Sequence, residues 1–166
     1  MGLARASGVS VRQGRLMMNR HILLVEDNED DVFLMEQAKK RAGVTSPMHV
    51  VDHGAKAIAY LNGEEEFGDR QKFPIPNLVL LDLKLPYVTG HEVLRWIRRE
   101  CRFQTMLVIV LTSSGDSMDI DTAYRLGANS YLVKPSTVDE LRDLVGSLAD
   151  YWLRRNCPPT HISKAA

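Results

Sequence analysis

The chain has 166 residues, of which 45% are hydrophobic and 25% are charged, and 21 basic residues balance 21 acidic ones. This length and composition are typical of one globular domain. Zero net charge disfavours non-specific nucleic-acid binding through a basic field over the whole protein. No apolar stretch reaches the roughly 18 residues that span a bilayer. Cys101 and Cys157 lack the close spacing of a zinc or disulfide motif, so we expect a protein of the reducing cytoplasm.

Short apolar runs alternate with helical repeats along the chain. The apolar runs predict strands over residues 20–26, 47–51, 77–82, 106–112 and 129–134. Apolar residues at helical spacing predict helices over residues 28–43, 54–63, 89–101, 117–127 and 136–155. Asn28 can cap the first helix, and Ser136 opens the last one in a Ser-x-x-Asp pattern. The segment 64–76, between the second helix and the third strand, is longer than most such connections.

Five strand–helix units in this order predict a doubly wound α/β fold, with a five-stranded parallel sheet and helices on both faces. The strands over 20–26, 77–82 and 106–112 lack polar alternation, as expected when both faces of a sheet are covered. We expect the domain to span residues 20–155. Residues 1–19, which contain no apolar core of a secretory signal, should form a disordered extension, and residues 156–166 a flexible tail.

Chemically active side chains stand at the carboxyl ends of four predicted strands. They are Glu26 and Asp27 after the first strand, Asp82 after the third, Thr112 and Ser113 after the fourth, and Lys134 and Pro135 after the last. Doubly wound sheets bind their ligands at this edge. Clustered carboxylates repel unless a pKa rises or a cation binds, and hard oxygen ligands suit Mg²⁺. The acidic loop 26–31 would reject a phosphate without a metal, so the residues predict metal-assisted phosphoryl transfer with a carboxylate nucleophile.

Four motifs carry a resemblance to a known family. They are LLVEDN (23–28), LLDLKLPYVTG (80–90), VIVLTSS (108–114) and GANSYLVKP (127–135). Together they resemble the CheY-like receiver domain of bacterial two-component response regulators, over about residues 20–155. The segment DLKLPYVTGHEVL (82–94) and the long 64–76 connection are similar to single-domain receivers that partner phytochrome-type histidine kinases. The resemblance implies the flavodoxin-like strand order 2-1-3-4-5.

The resemblance also implies the metal site and the phosphoacceptor. Asp82 matches the carboxylate that accepts a phosphoryl group from a sensor histidine kinase. Glu26 and Asp27 match the acidic pair that binds Mg²⁺ together with Asp82, and Asp27 matches the closer ligand. The backbone carbonyl of Lys84 matches a further protein ligand to Mg²⁺. A lysine at position 84 is a less usual neighbour of the acceptor, which leaves the lifetime of the phosphorylated state open.

The remaining matches concern the response to phosphorylation. Thr112 and Lys134 match the hydroxyl and the ammonium that contact the phosphoryl group. Tyr131 matches the aromatic residue that changes rotamer on activation, and the peptide before Pro135 matches a cis bond. The resemblance implies that phosphorylation switches the surface formed by the fourth helix, the fifth strand and the fifth helix.

Two other functions fit the residues less well. A phosphatase or mutase that forms an aspartyl-phosphate needs a second acid two residues beyond its nucleophile, and Lys84 occupies that position. An interaction module with an inactive site would be expected to lack Asp82, Thr112 or Lys134, all of which are present. Taken singly, each residue also has a structural explanation, such as helix capping by Asp27. The combination favours a phosphoacceptor switch rather than an enzyme acting on small molecules.

The last helix and the tail bear on the partners. Leu148, Tyr151 and Trp152 extend beyond the expected packing face of the helix over 136–155, so we expect a homodimer through the fourth helix, fifth strand and fifth helix. The tail 156–166 is too short for a helix-turn-helix. We therefore expect no direct nucleic-acid or membrane binding, and a protein as the downstream target.

Overall fold

The computed structural model describes residues 20–158 and contains one parallel sheet of five strands in the order β2-β1-β3-β4-β5. The strands are β1 Ile22–Val25, β2 Met48–Val51, β3 Leu78–Leu81, β4 Leu107–Thr112 and β5 Ser130–Val133. The helices are α1 Glu29–Arg41, α2 Gly54–Asn62, α3 Gly90–Arg99, α4 Ser117–Arg125 and α5 Val138–Leu148. The predicted doubly wound α/β fold and its strand order are confirmed. No helix in residues 20–158 is long and apolar enough to cross a membrane.

Two apolar layers hold the helices against the sheet. All residues of β1, β3 and β4 are buried, because alternate side chains enter opposite layers. Leu23 and Val25 pack in the layer that contains α2 and α3, whereas Ile22 and Leu24 pack in the layer that contains α1 and α5. The absence of polar alternation in these strands therefore reflects burial on both faces.

The segment between α2 and β3 contains a short 3₁₀ helix, Glu65–Gly68. Its Phe67 is buried and packs against Tyr60 and Phe73, with ring centroids 5.1 and 5.2 Å away. The Tyr60 hydroxyl donates to the carbonyl of Pro74 at 3.0 Å. These contacts tie the long connection to the apolar layer over α2.

The start of the last helix differs from the prediction. Thr137, not Ser136, is the N-cap, and its hydroxyl accepts from the backbone N–H of Glu140 at 3.3 Å. The Thr137 hydroxyl also lies 2.8 Å from the Glu140 carboxylate. The helix therefore begins one residue later than predicted. Thr137 and Glu140 have the Thr-x-x-Glu spacing of a capping box, which takes the place of the predicted Ser-x-x-Asp pair.

The end of that helix also differs from the prediction, because α5 changes to a π-helix over Ala149–Arg155. The Arg20 guanidinium donates to the carbonyls of Trp152 and Asn156 at 2.8 and 3.1 Å, which supports this wider turn. Leu148 is buried and Trp152 is half-buried, since both pack in the layer over α1 and α5. Of the three side chains expected to be exposed for dimerisation, only Tyr151 is exposed, by 55%.

Backbone hydrogen bonds across the sheet hold the predicted site residues at one edge. The N–H of Asp82 donates to the carbonyl of Val25 at 3.0 Å, and the N–H of Lys134 donates to the carbonyl of Thr112 at 2.8 Å. Together with the pairing of β3 to β4, these bonds place the carboxyl ends of β1, β3, β4 and β5 next to one another.

Candidate functional site

The acidic pair after β1 divides into a buried and an exposed carboxylate. The Glu26 side chain is 3% exposed, and its two oxygens accept from the N–H of Asn28 at 3.2 Å and from the Lys134 ammonium at 2.6 Å. Burial raises the pKa of Glu26, and the bond to Lys134 partly offsets this effect. Asp27 is exposed, while Asn28 caps α1 by accepting from the N–H groups of Asp30 and Asp31.

The Asp82 carboxylate follows β3 and is 6% exposed. Its Oδ1 accepts from the N–H of Leu83 at 2.7 Å and lies 3.3 Å from the N–H of Lys84. Its Oδ2 lies 3.3 Å from the Lys134 ammonium. A side chain at Gly90 would collide with the carbonyl of Asp82, so this glycine lets α3 begin directly against the loop. One carboxylate oxygen is thus held by the backbone, and the other faces the ammonium.

The loop after Asp82 contains a strained turn that the sequence did not predict. Tyr87 has a φ of +63°, and the N–H of Val88 donates to the carbonyl of Pro86 at 2.7 Å. A bond between residues two apart around a positive φ is the rare form of the γ-turn. The Tyr87 side chain is 96% exposed, so the turn presents an aromatic ring to solvent near the acidic site.

Lys134 connects the acids of the site. Its ammonium lies 2.6 Å from Glu26, 2.7 Å from Asp31 and 3.3 Å from Asp82. Burial alone would lower the pKa of Lys134, but the bonds to Asp31 and Glu26 and the charge of Asp82 together raise it above its usual value. Lys134 is therefore a protonated cation inside an acidic cluster.

The hydroxyl residues lie on the α4 side of the site. Thr112 is completely buried, and its Oγ1 lies 3.5 Å from the N–H of Ser114. The Tyr131 hydroxyl donates to the carbonyl of Ser114 at 2.9 Å, and burial raises the pKa of Tyr131. The Ser114 hydroxyl donates to Asp119 of α4 at 2.6 Å. Ser114 thus connects the loop after β4 to β5 and to α4 by hydrogen bonds, a role that the amino-acid sequence did not indicate.

The carboxylates can hold a cation. One oxygen from each of Glu26, Asp27 and Asp82 lies within 4.8 Å of the others. Three hard oxygen donors at a solvent-accessible edge suit Mg²⁺, which keeps several water ligands. Carboxylates of this kind also bind Mn²⁺. The donor set therefore fits the metal that the sequence predicted.

The structure brings together Glu26, Asp27, Asp82 and Lys134 from the predicted set, and the backbone joins Thr112 to Lys134. The ligand role of the Lys84 carbonyl and the cis bond before Pro135 stay predictions. Asp31 was missed, because an acid in the first turn of a helix has an ordinary explanation in the helix dipole. Its partner Lys134 lies 103 residues away in the sequence.

A family comparison decides what kind of domain carries this site. The model of the response regulator receiver domain matches residues 22–146. The chain belongs to this family. The receiver matches the "Probable methanogenesis regulatory protein FilR2" of Methanothrix harundinacea with 41% identity, over 83% of this chain and 86% of that protein.

Two solved response regulators of cyanobacteria resemble this receiver. The phosphorylated cyanobacterial phytochrome response regulator RcpA has a TM-score of 0.79 and 33% identity, over 86% of this chain and 99% of RcpA. Rcp1 of Synechocystis is 34% identical over 80% of this chain and 88% of its own length. The Mn²⁺-bound form of Rcp1 has a TM-score of 0.75 and 33% identity, over 85% of this chain and 99% of that chain. The receiver is thus similar to a phytochrome response regulator, RcpA, and to the response regulator Rcp1 along nearly their whole length.

Proposed function

We propose that this receiver is a phosphorylation-controlled switch that accepts a phosphoryl group on Asp82 from a sensor histidine kinase in the presence of Mg²⁺. The observation that carries the proposal is the convergence of Asp82, its acidic neighbours and Lys134 at the carboxyl edge of the sheet. A nucleophilic carboxylate, a cation site and a fixed ammonium are the parts that phosphoryl transfer to an aspartate requires.

Asp82 supplies the nucleophile. Its Oδ1 is occupied by backbone N–H groups, whereas Oδ2 lies beside the Lys134 ammonium, so Oδ2 is the oxygen that attacks phosphorus. The new O–P bond forms as the P–N bond to the donor imidazole breaks, and the imidazole nitrogen keeps the electron pair. Lys134 is placed to donate to the oxygens of the transferred group.

Glu26, Asp27 and Asp82 would hold Mg²⁺, with the Lys84 carbonyl as a predicted further ligand. The cation supplies charge neutralisation for the oxygens of the phosphoryl group during transfer. Asp27 is the exposed acid of the three, so its charge acts on a bound cation with little burial cost. Glu26 is the least exposed acid, and it links the metal site to Lys134.

Thr112 and Tyr131 couple the phosphoryl group to the outer face. Thr112 stands at the end of β4, and its hydroxyl is expected to donate to the phosphoryl oxygens. Such a movement would disturb Ser114, whose carbonyl holds the Tyr131 hydroxyl. Tyr131 already packs against the apolar cluster of Leu83, Val110 and Ala123, so the switch acts by strengthening or releasing an existing contact. Thr112→Ala should still be phosphorylated but transmit less to β5.

The similarity to the phytochrome response regulator RcpA supports a kinase of the phytochrome type as partner, in the cytoplasm. A homodimer through α4, β5 and α5 is also proposed, on the evidence of exposed apolar side chains on these elements. They are Met118 and Tyr124 on α4, Val133 on β5 and Tyr151 in the π-helix. Light scattering at high concentration, with and without a phosphoryl mimic, tests the dimer, and a monomer in both conditions would contradict it.

The experiment that tests the phosphoacceptor is labelling with Mg²⁺ and a small phosphodonor, read by intact-protein mass. The parent should gain one acid-stable, base-labile phosphate, and Asp82→Asn should gain none. Asp121→Asn is the matched control, because Asp121 is an exposed aspartate on α4. Equal labelling of Asp82→Asn and the control would refute the assignment. Phosphotransfer from purified histidine kinases to the parent then identifies the donor.

A further inference from the structure

Lys134 is held more closely by two other acids than by the proposed acceptor. Its ammonium lies 2.6 and 2.7 Å from Glu26 and Asp31, but 3.3 Å from Asp82. An ammonium has three donor hydrogens, so all three are directed at carboxylates. Of the three carboxylates, Asp82 therefore has the longest contact to the Lys134 ammonium, although a phosphoryl group on Asp82 would need this ammonium as a donor.

Asp31 differs from the other two partners of Lys134. It is outside the group of carboxylates that converge as a cation site, which consists of Glu26, Asp27 and Asp82. A cation bound by that group would draw on Glu26 and Asp82, and would leave Asp31 as the carboxylate that retains Lys134. The Asp31 side chain is 37% exposed, so it can lose the ammonium and be solvated by water at small cost.

The position of Asp31 is also fixed by the backbone. Its N–H donates to the Asn28 cap at 3.1 Å, in the first turn of α1. The contact to Lys134 thus connects the start of α1 to the end of β5. Because its backbone is held in this turn, Asp31 cannot move far with the Lys134 ammonium if the ammonium moves towards a phosphoryl group on Asp82.

We propose that Asp31 is a positioning residue that holds Lys134 in the unphosphorylated receiver and competes with the phosphoryl group for its ammonium. This inference rests on the proposed function of Asp82. A phosphoryl group on Asp82 would place roughly two negative charges, and strong acceptor oxygens, next to Lys134. The ammonium then exchanges the Asp31 carboxylate for these oxygens, and the contact between α1 and β5 is released on phosphorylation.

Asp31→Asn tests the competition, and Asp30→Asn is its matched control. Both acids lie in the first turn of α1 and both N–H groups bond to the Asn28 cap, but only Asp31 contacts Lys134. Each variant removes one charge from the same turn, so general effects of charge on anion binding and on the helix dipole are matched.

The probe is beryllofluoride, which mimics a phosphoryl group on a carboxylate, titrated at saturating Mg²⁺ and followed by amide NMR. Asp31→Asn should bind it roughly three- to tenfold more tightly than Asp30→Asn, because one competitor for a partly exposed ammonium is removed. Asp31→Glu, which keeps the charge, should stay near the parent. Mg²⁺ affinity, measured separately by calorimetry, should change equally in Asp31→Asn and Asp30→Asn.

Two results would overturn the inference while leaving the proposed function intact. One is equal beryllofluoride affinity in Asp31→Asn and Asp30→Asn, and the other is weaker binding by Asp31→Asn. If the parent protein does not bind beryllofluoride at all, the proposed function of Asp82 is refuted, and the proposed competition between Asp31 and the phosphoryl group is refuted as well. Thermal unfolding of all variants confirms that the affinities compare folded proteins.

Discussion

Replacing Lys134 with methionine removes the charge of the ammonium but keeps most of the apolar stem. Glu26 and Asp82, whose side chains are 3% and 6% exposed, then lose the cation that lies beside both. Breaking a buried ion pair by removing one partner costs about 3–5 kcal/mol. Since the site lies at an open edge, where Asp31 is 37% exposed, water can solvate part of the released charge. We therefore expect the free energy of unfolding at pH 7 to fall by about 2–4 kcal/mol.

The sign of the pH dependence follows from the pKa of Glu26. Burial raises this pKa in the folded protein, and loss of Lys134 raises it further. The folded variant then takes up a proton at a higher pH than the unfolded chain, so its stability increases as the pH falls towards 5. The raised pKa of Lys134 matters only in alkali, because its stabilising effect is complete below the usual value of 10.5. The deficit of Lys134→Met should therefore shrink between pH 7 and pH 5.

Urea denaturation followed by circular dichroism measures the deficit, with Lys84→Met as control. Lys84 is an exposed lysine two residues from Asp82 and has no ion pair within residues 20–158. Mg²⁺ should stabilise Lys134→Met more than the parent, because no ammonium competes with the cation for the acids. At a hundred times its Kd, a ligand of the folded state raises the free energy of unfolding by about 2.7 kcal/mol. Full stability of Lys134→Met at pH 7, or a deficit that grows on acidification, would refute the reasoning.

Three further changes test other parts of the receiver. Asp27→Asn should weaken Mg²⁺ binding in calorimetry with little loss of stability, because it removes an exposed charged oxygen ligand; unchanged affinity would contradict the metal site. Tyr131→Phe loses the bond to the Ser114 carbonyl and should cost about 1 kcal/mol in urea denaturation. Its phosphorylation rate should stay unchanged, and a slower rate would place Tyr131 in the transfer step. Arg98→Ala should lose about 2–3 kcal/mol, because the half-buried guanidinium donates to two backbone carbonyls at 2.7–3.0 Å. Arg99→Ala, which removes an exposed charge from the same last turn of α3, should stay within about 0.5 kcal/mol of the parent.

The sheet and the edge that carries the site were predictable from the sequence. The uniformly apolar runs of β1, β3 and β4 indicate burial on both faces, and parallel strands have their carboxyl ends on one side. Polar residues directly after the strands, among them Asp82 after β3 and Lys134 after β5, therefore lie at the same edge of the sheet. The four motifs also indicated the correct family, because each motif includes the end of a strand and so contributes residues to the same edge of the sheet.

Features that depend on competition between similar residues were not predictable. Ser136 and Thr137 are both good N-caps, and the choice depends on the partner three residues later. The carbonyls of Trp152 and Asn156 at the π-helix accept from Arg20, which lies at the other end of the described chain. Asp31 is one of three acids in the first turn of α1, and only the tertiary structure shows that it, and not Asp30, reaches Lys134.

The Asp82 carboxylate at the end of a buried strand has partners for each of its oxygens. Backbone N–H groups hold Oδ1, and Lys134 lies beside Oδ2. The same Lys134 is shared with Glu26 and Asp31, so one ammonium serves three carboxylates. With Asp27 included, the ionised site carries an excess of negative charge that the described residues do not neutralise, and such an excess repels a phosphodonor. A bound divalent cation would remove most of this repulsion, so the proposed cation site and the proposed phosphoacceptor can share the Asp82 carboxylate, and the loss of Asp27 should be felt first in metal binding.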